Sequence, residues 1–411
     1  MVRANTDRTK TVDNGILSYN LYFVLSVADY FLHTGDTGAL VAWDPLVQHK
    51  FAASAAWWAN PARQSFCGSD DRLGADFETS PPAEAEKTRY YKMLSIQAAR
   101  AYAAAVALCT ECPSELKTAA AALNASFTAR FEGERANVTT TYGMHSAASA
   151  VATGLTTPAE EAAIFAGPLS NPVHFCSFSP WNGYFLLAAT ARLRLAGGRV
   201  RAMRAALDVV RRCYHGMVRL GGTTFWETYS PEWNDMYEPG HPTPNGATGY
   251  MSHSHPWASG AAPWLTHHVV GIQALTPAFG TFEVVPFLDP AAPNYLTRVA
   301  GAQPIPSNGT IRVAVACNGT ATLHVPPGTS ASRVVLPLCG RSPTVLAING
   351  KPARLGAIAD DGVSVAATPL PPGDYSFQLA FAAGPPPPSP PPPAPAAAVY
   401  GDRYLGRGCG N

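Results

Sequence analysis

The feature of this sequence that most constrains its fold is a change in hydrophobic periodicity near residue 280. From about residue 15 to 270, apolar residues recur at helical spacing in segments of roughly 12–25 residues, with almost no alternating pattern. The first such segment, 19–31, runs into Gly35, which can take the left-handed conformation of a helix C-cap. Helices of this length joined by irregular loops are typical of stacked helical hairpins.

Beyond residue 280, apolar and polar residues alternate as they do in strands. Gly, Pro and Asn turn signals separate the alternating segments 281–286, 310–316, 321–325, 332–336 and 374–380. Short strands with regular turns indicate a small antiparallel β-sandwich. We therefore predict a mainly α protein with an all-β C-terminal domain. The helical domain would cover residues 1–278 and the sandwich residues 279–384.

Two further segments complete the predicted domain organisation. Residues 385–398 are rich in proline and read as a polyproline II linker. Residues 399–411 follow as a disordered tail or as the start of a truncated module.

Composition narrows the classes of function. Of the 411 residues, 47% are hydrophobic and 14% charged, which suits a packed globular protein of two or three domains. The formal net charge of +1, with no basic stripe, argues against a nucleic-acid partner. No apolar run reaches the roughly 20 residues of a membrane span. The first 15 residues contain no apolar core of a signal peptide.

Cysteines and glycosylation sequons indicate in which cellular compartment the protein is located. Eight cysteines are present, and N-x-[S/T] sequons occur at Asn124, Asn137, Asn308 and Asn318. Cys317 and Cys339 lie in the predicted β region, where a bridge between strands is expected, and Cys109 with Cys112 could close a short disulfide loop. The alternative is a set of free thiols in a cytosolic protein. We interpret the chain as a secreted glycoprotein, extracellular or of the cell wall, whose signal peptide precedes residue 1.

A carboxylate next to a tryptophan is the sharpest chemical signal. The motif GGTTFWE at 221–227 directly follows the predicted helix 198–217 and ends on Trp226 and Glu227. A tryptophan here offers a face for sugar stacking, and it raises the pKa of the neighbouring acid by desolvation. The alternative is a buried, ion-paired glutamate at a helix terminus.

A second segment, SHSHPW at 252–257, suggests that His255 and Trp257 line the same pocket. The alternative is a polar loop with a serine N-cap. Two histidines two residues apart, without a third ligand, do not predict a metal site.

A third segment, 68–78, concentrates acids around Asp70, Asp71 and Arg72. An arginine beside carboxylates can hold one ionised while its neighbour stays protonated, as acid–base hydrolysis requires. The alternative is a solvated, salt-bridged loop. Trp58 is a candidate for sugar binding, with core packing as its alternative.

Taken in order, these segments resemble the α-L-rhamnosidases of glycoside hydrolase family 78. The matching segments are YFLHTGD, GGTTFWE, SHSHPW, VVGI and FGTFEVVP, at 30–36, 221–227, 252–257, 269–272 and 279–286. The resemblance extends over about residues 15–384. It implies an (α/α)6 barrel followed by a β-sandwich, and hydrolysis of terminal α-L-rhamnosides in glycans or glycosides with inversion and without a cofactor.

The resemblance also implies roles for individual residues. Glu227 would be the general base, with His255 contacting the sugar and Trp226 and Trp257 nearby. Inversion requires a second carboxylic acid about 6.5–9.5 Å away. In the family this acid lies in an Asp-Glu-Arg cluster upstream of the helix that ends at 36.

Here only Asp7 and Asp13 precede that helix. We therefore expect the barrel to be incomplete at its N-terminus, and we rank Asp71 first as the substitute acid, with Asp70 and Arg72 binding substrate. Two alternatives stay open. One is a non-catalytic carbohydrate-binding or cell-wall matrix protein, or a fragment without the general acid. The other is a different helical-barrel enzyme, such as a polysaccharide lyase.

Overall fold

The computed structural model describes residues 18–59, 84–170, 180–219, 221–226, 252, 254–291, 295–359, 362–365 and 368–382. Its N-terminal part is helical and its C-terminal part is a β-sandwich, as the sequence predicts. The helices are α1 Tyr19–Thr34, α2 Thr37–Ala59, α3 Glu84–Leu108, α4 Ser114–Val138, α5 Met144–Ala152, α6 Pro158–Ala166, α7 Pro180–Arg192, α8 Gly198–Val209, α9 His215–Arg219 and α10 Ala261–Trp264. A π-helical turn, Val210–Tyr214, joins α8 to α9. A 3₁₀ turn, Pro256–Gly260, precedes α10, and a π-helical turn, Leu265–Val270, follows it.

The helices form an inner and an outer layer. α1, α3, α5 and α7 pack against one another in that order, and the segment 256–270 packs on α7. α5 has the small-residue sequence MHSAASAVA and is buried from His145 to Val151, which allows close approach of its neighbours. α4 instead buries one stripe of residues spaced three, four and seven apart, as an outer helix does. Within the described residues this gives four inner–outer pairs and one further inner segment.

The connections at the two ends of this helical ring differ in length. At the C-terminal ends of the inner helices they are short, as at Gly35, which caps α1 with φ 71° and donates its N–H to the Phe31 carbonyl oxygen. At the other end, 24 residues intervene between α2 and α3, at 60–83, and 36 between α9 and the 3₁₀ turn, at 220–255. Long connections concentrated at one end of a rigid scaffold are where binding and catalytic residues tend to lie.

The sandwich consists of two sheets. Its strands are β1 Ile272–Ala274, β2 Thr281–Val284, β3 Arg298–Pro304, β4 Thr310–Ala316, β5 Thr320–Val325, β6 Ser330–Pro337, β7 Pro343–Ile348, β8 Lys351–Ala353, β9 Leu355–Ala359, β10 Gly362–Val365 and β11 Gly373–Phe381. One sheet has the order β1-β2-β6-β10-β9 and the other β3-β4-β5-β11-β7-β8.

Two features of the sheets differ in detail from the sequence-based expectation. β2 pairs with β6 in parallel, whereas the other strand pairs in the described residues are antiparallel. The long connection through β3, β4 and β5 makes this parallel pairing possible. β1 also begins at Ile272, ahead of residue 279, where the sequence places the start of the sandwich. The domain limits themselves stay a prediction.

Arginines of α8 join the helical domain to the sandwich. The Arg199 guanidinium donates to the carbonyl oxygens of His268, Val285 and Pro286 at 2.9, 2.9 and 3.1 Å. Arg204 forms two hydrogen bonds of 2.7 and 2.8 Å with the carboxylate of Asp289, which is 2% exposed. The two domains therefore share a polar junction around the buried carboxylate of Asp289.

Disulfides occur in both domains. Cys109 is bonded to Cys112 at the end of α3, and Cys317 to Cys339 in the sandwich, which are the two pairs that the sequence suggests. Cys213 is also disulfide-bonded. No helix among the described residues combines the length and the hydropathy that a membrane crossing requires.

Candidate functional site

The glycine pair after α9 shapes the first loop of the candidate site. Gly221 has φ 82°, and the Gly222 N–H donates to the carbonyl oxygen of Met217 at 2.8 Å. A Cβ at position 222 would lie 2.8 Å from Cζ2 of Trp226, so the indole packs directly on the glycine backbone. Trp226 is 5% exposed. Its indole is thus packed against the loop backbone, and its predicted contact with substrate stays a prediction.

A backbone hydrogen bond brings the second loop to the first. The His255 N–H donates to the carbonyl oxygen of Phe225 at 2.8 Å. The rings of His255 and Trp257 lie 4.3 Å apart and are tilted by 41°. Both side chains are partly exposed. The structure therefore places Trp226, His255 and Trp257, three of the predicted site residues, in one neighbourhood.

A group of aromatic side chains lies at the N-terminal ends of the inner helices. Tyr22 of α1 lies 5.0 Å from Trp181 and 4.8 Å from Phe185, both on α7. The hydroxyls of Tyr22 and Tyr90 are hydrogen-bonded, and the Tyr90 ring lies 5.9 Å from His145. Burial raises the pKa of the Tyr90 hydroxyl, which therefore stays protonated.

The aromatic group connects to the two loops through Tyr184. A Cβ at Gly260 would lie 2.5 Å from Cβ of Tyr184, so the 3₁₀ turn after His255 packs closely on α7. Tyr184 in turn lies 5.3 Å from Phe185. Contacts thus run from the Trp257 loop across the N-terminal ends of the inner helices.

Tyr22, Tyr90 and His145 were not among the site residues predicted from the sequence. Each lies in the first two turns of an inner helix. Their shared position near the start of a helix could have indicated them, but only if the sequence had shown which helices are the inner ones.

Glu86 holds the start of α5 and with it His145. Its carboxylate accepts hydrogen bonds from the backbone N–H groups of Gly143 and Ser146 at 2.7 and 3.0 Å, and from the Ser146 hydroxyl at 2.6 Å. A carboxylate at this position satisfies unpaired N–H groups and complements the helix dipole.

Trp58 lies in the last turn of α2. Its indole N–H donates to the Ser95 hydroxyl at 3.0 Å, and Lys92 and Arg130 lie over its ring at 5.1 and 5.4 Å. These contacts place it between α2, α3 and α4. Its predicted contact with substrate stays a prediction.

Four predicted site residues, Glu227, Asp70, Asp71 and Arg72, lie outside the described residues. Their roles therefore stay predictions. In the described part of the chain, no three His, Cys, Asp or Glu side chains are grouped as a metal ion would require.

Comparisons with known proteins find similarity in structure alone. No protein-family model matches the chain, and no curated protein matches it in sequence. The fold is similar to that of a family 78 rhamnosidase of Bacillus sp. GL1, with a TM-score of 0.56 and 19% identity over 77% of this chain and 31% of that one.

Two further solved structures show the same similarity. An α-L-rhamnosidase of Streptomyces avermitilis, complexed with L-rhamnose, has a TM-score of 0.61 and 14% identity, covering 84% of this chain and 31% of that one. An α-L-rhamnosidase of Aspergillus terreus has a TM-score of 0.54 and 15% identity, covering 86% and 38%. The resemblance that the sequence indicates is thus confirmed at the level of fold. The chain spans 31–38% of the length of these three proteins.

Proposed function

We propose that this chain is a glycoside hydrolase of the α-L-rhamnosidase type, which hydrolyses terminal α-L-rhamnosides with inversion at the anomeric carbon. The observation that carries the proposal is the hydrogen bond of 2.8 Å between the His255 N–H and the Phe225 carbonyl oxygen. Glu227 follows Phe225 by two residues. The bond therefore holds the backbone next to this carboxylate against the segment that carries His255 and Trp257.

The proposed reaction uses two carboxyl groups. Glu227 takes a proton from a water molecule as the water oxygen attacks the anomeric carbon. The bond between that carbon and the glycosidic oxygen breaks, and Asp71 donates a proton to the leaving oxygen. Inversion requires about 6.5–9.5 Å between the two carboxyl groups, which leaves room for the water.

The remaining residues bind the sugar. Trp257 offers an aromatic face to the apolar side of the pyranose ring, and His255 hydrogen-bonds a sugar hydroxyl. We assign further sugar hydroxyl groups to Asp70 and Arg72, and the sugar next to the general base to Trp226. Trp58 is a further candidate for sugar binding, and its described contacts lie between three helices.

The proposal includes a location outside the cell or in the cell wall. Disulfides form and persist in oxidising compartments, and two bridges between described cysteines support this location.

Replacement of Glu227 by Gln tests the general base. Loss of this carboxylate should lower the rate of 4-nitrophenol release from 4-nitrophenyl α-L-rhamnoside by about 10²–10⁴-fold. Glu283→Gln is the matched control, since Glu283 pairs with Arg333 in the sandwich, and it should keep its activity. Undiminished turnover by the Glu227 variant would remove the role assigned to that residue. Binding of rhamnose by the unaltered protein with no hydrolysis would instead favour a carbohydrate-binding protein.

Comparing two substrates in the same assay distinguishes the general acid from the general base. Asp71→Asn should lose little activity towards the 4-nitrophenyl rhamnoside, whose leaving group needs no protonation, and much more towards an alkyl rhamnoside. Equal losses on both substrates would assign the general acid to another residue.

A further inference from the structure

The four glycosylation sequons differ in local structure. Asn124 lies inside α4 and Asn137 in its last turn, whereas Asn308 and Asn318 lie in turns of the sandwich. A sequon is a weak signal by itself. Its surroundings in the fold add information about each asparagine.

Asn318 lies in the turn between β4 and β5 and is exposed. Its Oδ1 accepts hydrogen bonds from the hydroxyl and the backbone N–H of Thr320 at 2.7 and 3.0 Å. Gly319 between them has φ 94°, and a Cβ there would lie 2.1 Å from the Leu379 carbonyl oxygen, so packing fixes the turn. The sequon therefore holds asparagine and threonine together, at the surface, in the folded protein.

This arrangement suits modification at the amide nitrogen. The Thr320 hydroxyl polarises the Asn318 carbonyl group, which makes the amide N–H more acidic. None of the described residues takes a hydrogen bond from Nδ2 of Asn318, and a sugar attached there would extend into solvent.

Asn124 presents the opposite case. In an α-helix, side chains two residues apart point in directions about 200° apart, so the Ser126 hydroxyl cannot reach the Asn124 carboxamide. Oδ1 of Asn124 instead accepts from the Thr128 hydroxyl at 3.2 Å, and Arg100 of α3 also donates to that hydroxyl, at 3.3 Å. A glycan here would start from a half-buried side chain in the groove between α3 and α4.

We propose that Asn318 carries an N-linked glycan and that Asn124 does not. In the modification, Nδ2 of Asn318 forms a bond to C1 of the first sugar of an oligosaccharyl diphosphate lipid. The bond between C1 and the phosphate oxygen breaks, the lipid diphosphate leaves with the electron pair, and the amide gives one proton to a base of the transferring enzyme. The Cys317–Cys339 disulfide adjoins the sequon, and the secretory compartment supplies the oxidising conditions for it.

Peptide mapping of the full chain, secreted from a eukaryotic cell behind a cleavable signal, tests this inference. Peptide N-glycosidase in ¹⁸O-labelled water converts each glycosylated asparagine into an ¹⁸O-labelled aspartate. We expect the label at Asn318 and none at Asn124. An unlabelled Asn318 in the secreted protein, or label at Asn124 to the same extent, would overturn the inference.

Variants of Thr320 provide the controls. Thr320→Ser keeps the hydroxyl and should keep the glycan, whereas Thr320→Ala should lose it and migrate faster on a denaturing gel. If the alanine variant is not secreted, the mapping of the unaltered protein still decides the question. Equal glycosylation of the serine and alanine variants would contradict the role given to the hydroxyl.

Discussion

At the scale of single residues, Gly271 shows how one backbone position determines the start of the sandwich. It ends the helical domain with φ 86°, a conformation that costs other residues about 1–2 kcal/mol. Its carbonyl oxygen accepts from the Val285 N–H at 2.9 Å, and a Cβ there would lie only 2.2 Å from the backbone carbon of Val285. Two separate constraints, torsion and space, therefore require glycine.

We predict that Gly271→Ala lowers the free energy of unfolding by more than about 3 kcal/mol, because the clash adds to the torsional cost. Gly328→Ala is the matched control, since Gly328 has φ 79° but open space around its Cα, and should cost only about 1 kcal/mol. Urea unfolding of both variants measures the difference. Equal losses would show that space at Gly271 is unimportant.

Two histidines near the end of the helical domain are held neutral. Partial burial lowers the pKa of His267 to about 4, with contributions from the charges of His33 and Arg192. Burial likewise lowers the pKa of His268 to about 3, and Arg192, His267 and Arg199 add to the effect. In the unfolded chain both groups titrate near 6.5.

Between pH 6.5 and about 4 the unfolded chain therefore binds more protons than the folded protein. The free energy of unfolding should fall as the pH falls through this window, on the order of 2 kcal/mol for the pair. Thermal unfolding at pH 7 and pH 4.5 measures the fall. Replacing both histidines by Gln should reduce it, whereas His215→Gln, on an exposed part of α9, should not. An unchanged fall in the double variant would contradict the assignment.

At the scale of elements, α5 depends on another helix for its first turn. The sequence just before it, Tyr142-Gly143, contains no side chain that caps the helix. Glu86 of α3 supplies the missing acceptor from 57 residues away in the chain. A Cβ at Gly143 would lie 2.6 Å from the Glu86 carboxyl carbon, so glycine makes the approach possible.

We predict that Glu86→Ala destabilises the protein by about 2–4 kcal/mol, because buried N–H groups at the start of α5 lose their acceptor. Glu115→Ala in the exposed first turn of α4 is the control and should cost less than about 1 kcal/mol. Chemical denaturation gives both values. Amide hydrogen exchange should also be faster at Gly143 and Ser146 in the Glu86 variant alone, and unchanged exchange there would rule out the capping role.

Turn chemistry explains which strand connections were visible in the sequence. The Asn349-Gly350 pair, noted as a turn signal, joins β7 to β8, and both residues have positive φ, 50° and 75°. Such turns match the twist of a hairpin. β9 and β10 are short, and alternation did not identify them, although Asp361-Gly362 in the sequence is a turn signal of the same kind.

At the scale of the whole molecule, the junction between the two domains contains a buried charge. The Asp289 carboxylate is 2% exposed and is held by Arg204 of α8. Breaking such a pair costs more than the pair itself contributes, since one charge stays buried without its partner.

We predict that Arg204→Ala lowers the free energy of unfolding by about 2–4 kcal/mol. It should also separate the calorimetric unfolding of the two domains, because the junction couples them. Arg333→Ala, which removes an ion pair within the sandwich whose acid, Glu283, is less buried than Asp289, is the control and should leave a single transition. A single, unshifted transition in the Arg204 variant would show that the coupling lies elsewhere.

The sequence by itself determined the succession of a helical domain and a β-sandwich, the C-cap at Gly35 and the two disulfide pairs. The domain succession and the C-cap depend on periodicity and turn residues, which act over a few residues. The Cys317–Cys339 pair, suggested by the predicted strands around both cysteines, joins the β4–β5 turn to the segment after β6. It also identified the two loops of the candidate site, since Trp226, His255 and Trp257 belong to short motifs.

Only the tertiary structure decided how these parts meet. The hydrogen bond between His255 and Phe225, the contact of Tyr22 with Tyr90 and the parallel pairing of β2 with β6 join segments that lie far apart in the chain. The packing of Trp58 against Lys92 and Arg130 likewise joins helices that lie far apart in the chain. Such contacts depend on which helices become inner helices and on how close their backbones approach, and no local pattern of residues specifies either.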